Sequence, residues 1–126
     1  MTKREANKLF TKDVVNLDIF NSEIIVFFTR VDFNKAMVCR GHEELTGGGG
    51  ATHHSVLINV DDNDEDHCVF IGIFDDSLNV IVHEATHAAL FISDMIGHNV
   101  TKYDEIVPYL TAHIVTEILK LKEKNK

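Results

Sequence analysis

Leu78, Ile81, Val82, Ala85, Ala88, Ala89 and Ile92 recur at spacings of three and four residues, the pattern of an α-helix that buries one face. Phe74-Asp75-Asp76-Ser77 precedes this segment and offers Asp76 or Ser77 as N-cap, and Gly97 follows it as a natural stop. A helix of that length needs an apolar surface to lie on, and the chain upstream supplies one. VVNLDIF and EIIVFFT, on either side of Asn21-Ser22, are dense in β-branched and aromatic residues and predict two strands joined by a tight turn. SVLINV and HCVFIGIF flank an acidic turn at Asp61 to Asp66 and predict a second antiparallel pair.

Between these pairs the pattern loosens. Phe33, Ala36, Met37 and Arg40 behind a possible Asp32 cap predict a short helix. The run Gly47 to Gly50 predicts a mobile loop that leads through His53-His54 into the third strand. A last helix is expected from near Thr101 to Tyr103, with Pro108 in its early turns, running through Ile114, Ile118 and Leu121 into a Lys-rich end. The expected fold is α+β in a single domain, residues 1–126: a small, mostly antiparallel sheet with the helix of residues 78–97 packed on one face and the C-terminal helix beside it.

Composition narrows the function. Twenty acidic side chains against twelve basic ones leave a formal charge of −8, which repels phosphate backbones and argues against nucleic-acid binding. No stretch approaches the roughly 20 apolar residues of a membrane span, and the charged N-terminus lacks the apolar core of a signal peptide, so a cytoplasmic protein without a membrane partner is expected. Cys39 and Cys68 lack a CxxC spacing and read as reduced, buried thiols.

Within the periodic helix, His83-Glu84-Ala85-Thr86-His87 spells HExxH. Histidines four apart lie one above the other, so both imidazoles can ligate one Zn²⁺, while Glu84 is offset enough to take a proton from a zinc-activated water without binding the metal itself. Such a site needs a third protein ligand. Glu105, eighteen residues after His87, fits that role on the following helix; Asp104 is the near alternative, with His98 and Asp94 behind it. Tyr109 and His113 share the helical face of Glu105, so Tyr109 is a candidate donor to a developing oxyanion and His113 a candidate to orient Glu105. His53 and His54 read as polar loop residues, with contact to substrate or metal as the sharper alternative; His42, His67 and His98 read as polar loop residues more strongly still.

The segment from Ile71 to about Val115 resembles a family of small zincin-like, HExxH-bearing metallopeptidase-type proteins of tailed bacteriophages. The likeness is carried by IGIFDDSLNVIVHEATHAALFISDMIG and by the downstream Asp104-Glu105-Ile106-Val107-Pro108-Tyr109-Leu110, in which Pro108 stands where Ala is expected. The resemblance implies metal binding by His83, His87 and Glu105 and a phage protein acting in the host cytoplasm, but supplies no substrate. The HExxH chemistry itself points to zinc-dependent hydrolysis of a peptide or related amide bond, in a peptide or protein substrate. The expectation from another class is a phage-encoded inhibitor or binding protein that engages a host enzyme and uses zinc only to clamp its helices together.

Overall fold

The computed structural model describes residues 13–17, 22–58, 65–95 and 105–125. Strands β1 (Val14–Leu17) and β2 (Ser22–Phe27) are followed by α1 (Arg30–Cys39), β3 (Gly50–Ile58), β4 (Glu65–Ile73), α2 (Leu78–Met95) and α3 (Ile106–Lys124). The four strands form one sheet in the order β1-β2-β4-β3. β1 pairs antiparallel with β2, Val14 opposite Ile25 and Leu17 opposite Ser22, and β3 pairs antiparallel with β4, Gly50 opposite Ile73. Between them β2 and β4 run parallel, Ser22 opposite His67 and Phe27 opposite Gly72. The α+β expectation holds, with two of the three strand pairings antiparallel.

The central pair explains the unbroken apolar runs in the sequence, because β2 and β4 are covered on both faces. Ile24, Val26, Val69, Ile71 and Ile73 point to one side and pack with Ile81, Ala85, Ala88, Ala89 and Ile92 of α2 and with Leu110, Ile114 and Ile118 of α3. Ile25, Phe27, Cys68 and Phe70 point to the other and pack with Phe33, Ala36 and Met37 of α1. On the first face α2 lies against β3 and β4, while α3 lies beside α2 and reaches β1. Lys122 near the end of α3 pairs with Asp76 at the start of α2, so the two helices run antiparallel.

Several local expectations shift. The cap of α1 is Thr29, whose hydroxyl accepts from Asp32 N at 3.2 Å, so Asp32 lies in the first turn and is not the cap. Ser22 belongs to β2 and Glu65 and Asp66 to β4, so pairing absorbs residues that composition assigned to turns. β3 begins at Gly50 and includes His53 and His54, which are strand and not loop. The loop before it is tethered: Asn34 brackets Leu45 with bonds of 3.0 and 2.9 Å, and Arg30 donates to the carbonyls of Thr46 and Gly48. Pro108 is the third residue of α3, where a missing N–H costs the helix nothing. The expected turn at Asn21, the stop at Gly97 and the helix start at 101–103 lie outside the described residues. Neither cysteine is in a disulfide; Cys68 is buried and Cys39 half-buried.

Candidate metal centre

α2 turns its apolar stripe to the sheet and to α3, which leaves His83 and His87 on its solvent side and Glu84 at the boundary. Both histidines are exposed, whereas Glu84 is only 6% exposed. The two Nε2 atoms lie 3.2 Å apart and the rings are close to perpendicular, at 78° with centres 4.8 Å apart. Nitrogens about 2.05 Å from a tetrahedral ion are separated by about 3.3 Å, so the donor pair fits one zinc. At this spacing the rings either share a hydrogen or point two lone pairs at a common cation. Glu84 completes a group in which one ligand atom from each residue lies within 4.8 Å of the others.

Glu84 is held from the sheet. The Thr52 hydroxyl lies 2.8 Å from Glu84 Oε1 and 3.2 Å from the Glu84 carbonyl oxygen, and donates its proton to one at a time. Alternation along β3 sets this contact, since Gly50, Thr52 and His54 share the face toward α2. Gly50 permits it: a Cβ there would stand 2.8 Å from Val80 Cγ1, 2.8 Å from the Gly72 carbonyl oxygen and 3.0 Å from Glu84 Cγ. Two residues on, the His54 ring stacks on Phe91, one helical turn beyond His87, with centres 5.6 Å apart. The edge strand therefore runs alongside the HExxH face of the helix.

Of the expected site residues the fold brings together His83, Glu84 and His87. Glu105 is the N-cap of α3, exposed, and lies outside that group; Tyr109 is in the first turn of α3 and 73% exposed. His113 and Asp94 are exposed and also outside it, and His98 and Asp104 fall outside the described residues. Thr52 is the contributor that sequence reasoning passed over. Its signal was the alternation of β3, readable only once Gly50 is counted as strand. Comparisons with protein-family models, with curated proteins and with solved structures find no match to this chain.

Proposed function

We propose that the chain is a zinc-dependent metallohydrolase that cleaves a peptide or related amide bond, with His83 and His87 as metal ligands and Glu84 as general base. The observation that carries this reading is the pairing of two imidazole nitrogens at 3.2 Å with a buried carboxylate one residue along the same helix. When bound, zinc supplies a Lewis acid and brings the pKa of water toward about 7. Glu84 accepts the proton of the attacking water and later delivers it to the leaving amine. With Thr52 donating to Oε1, the second carboxylate oxygen is the one directed to that proton. Glu105, the N-cap of α3 and outside the assembled group, is kept from the sequence reading as third ligand, and Tyr109, in the first turn of α3, as donor to the developing oxyanion. The reading also keeps the resemblance to the small zincin-like phage proteins and, with it, a host-cytoplasmic setting.

β3 supports a peptide over a small amide. It runs as an extended strand that carries Thr52 onto Glu84, so an extended peptide laid alongside it passes the proposed base.

The test is metal retained after exhaustive dialysis, measured with hydrolysis of a peptide library. Wild type is expected to keep one zinc per chain; His83→Ala, His87→Ala and Glu105→Ala to lose it; and Glu84→Gln to keep it while turnover disappears. Folded wild type that retains no metal, or Glu84→Gln with unchanged turnover, overturns the proposal. Zinc retained in a wild type that cleaves nothing favours the binding-protein alternative.

A further inference from the structure

On the opposite face of the sheet a second pair of imidazoles is assembled from two elements. The chain leaves α1 through a Schellman turn: Gly41 takes φ +85°, its N–H reaches the Val38 carbonyl at 3.0 Å, and His42 N–H reaches the Met37 carbonyl at 3.0 Å. This fixes the backbone of His42 next to β3, where His53 projects to the α1 side over Phe70, their ring centres 6.3 Å apart. The His42 and His53 rings are 4.4 Å apart at 63°, close to the 4.8 Å and 78° of His83 and His87.

We propose that His42 and His53 form a second site, for a nitrogen-seeking divalent transition metal such as Zn²⁺, Cu²⁺ or Ni²⁺. Two imidazoles each about 2.05 Å from one ion have ring centres roughly 5 Å apart, so a small opening of this pair admits it. One ring nitrogen ligates while the other keeps whatever hydrogen bond it makes. His42 is exposed and His53 half-buried, so the ion enters from solvent and water fills its remaining positions. The Arg40 guanidinium, 4.1 Å from the Phe70 ring centre, places a cation on the same ring that His53 faces. That disfavours ions held by charge alone, such as Mg²⁺ and Ca²⁺, and leaves those that bond well to imidazole.

The site also has a mechanical consequence. His42 and His53 bracket the loop that ends in Gly47 to Gly50, so an ion bridging them ties the end of α1 to the strand that carries Thr52 against Glu84. The inference does not rest on the metallohydrolase reading, because it uses neither His83 nor His87.

The experiment uses the His83→Ala/His87→Ala chain, in which the first pair is silent, with ZnCl₂ as probe. Calorimetric titration should find one site per chain, and added zinc should raise the melting temperature. Introducing His42→Ala, or His42→Gln, should weaken that binding by more than the roughly 10- to 100-fold that losing a supporting hydrogen-bond partner of a ligand costs, and abolish the shift. Absence of zinc binding in the folded double variant overturns the proposal, as does binding that persists with both His42 and His53 replaced.

Discussion

Glu84 is the residue on which the proposed chemistry turns, and its surroundings are specific. A carboxylate only 6% exposed needs a partner, because burying one without a hydrogen bond is costly. Thr52 is that partner in the described structure. Replacing Thr52 by Val keeps the shape and removes the donor, so stability should fall by about 1.5–3 kcal/mol, the range for a hydrogen bond to a charged group. Urea denaturation measures this, and turnover should fall roughly 10-fold or more through loss of orientation while dialysis-stable zinc is unchanged. Ser93 presents the opposite case. Its hydroxyl is fully buried without a hydrogen-bond partner among the described residues, so Ser93→Ala removes an unsatisfied group and improves helix propensity. We expect a gain of about 1 kcal/mol in the same assay.

At the scale of elements, β3 and the end of α1 are the parts set most tightly by backbone geometry. Gly50 lets an edge strand approach a helix until Glu84 Cγ stands 3.0 Å from where a Cβ would sit. Gly50→Ala forces the strand outward; overpacking of this kind costs about 1–3 kcal/mol, and the shift separates Thr52 from Glu84. The expected signature is lower melting temperature and lower turnover together, with dialysis-stable zinc retained. Gly41 has open space around its missing Cβ but a φ of +85°. Gly41→Ala therefore costs about 1–2 kcal/mol from backbone strain alone, seen as a lower urea midpoint with unchanged slope.

For the whole molecule, the sheet separates two cores. One holds α2 and α3 against Ile, Val and Leu side chains; the other holds α1 against a cluster in which Phe27 and Phe33 meet edge to face at 5.9 Å. Ile114 is completely buried in the first core, and Ile114→Ala should cost about 2–5 kcal/mol by opening a cavity between α3 and its neighbours. Denaturation followed by far-ultraviolet circular dichroism tests this; a loss under 1 kcal/mol would mean that α3 does not pack as described. The two ends of the described chain are also joined. Asp13, 5% exposed, accepts from Asn125 Nδ2 at 3.1 Å, and Lys124 Nζ stands 4.0 Å away. α3 is thus anchored beside β1 at one end and at Asp76 on the other side of the same turn.

The sequence by itself determined the elements and the core of the candidate site. Periodicity located α2, β-branched density located β2 and β4, and four-residue spacing on one helix was enough to stack His83 on His87, because these signals are local and helical geometry is fixed. Boundaries were less legible: hydrogen bonding to a neighbouring strand drew Ser22, Glu65 and Gly50 into the sheet against their turn propensities. What only the tertiary structure decided was the company these residues keep. The parallel register of β2 and β4 depends on a pairing with α1 and β3 interposed, and nothing local encodes it. Thr52 reaches Glu84 across 32 residues, and His42 meets His53 because a helix cap ends beside an edge strand. Contacts between distant segments arise from how packed faces are shared, which is a property of the folded chain as a whole.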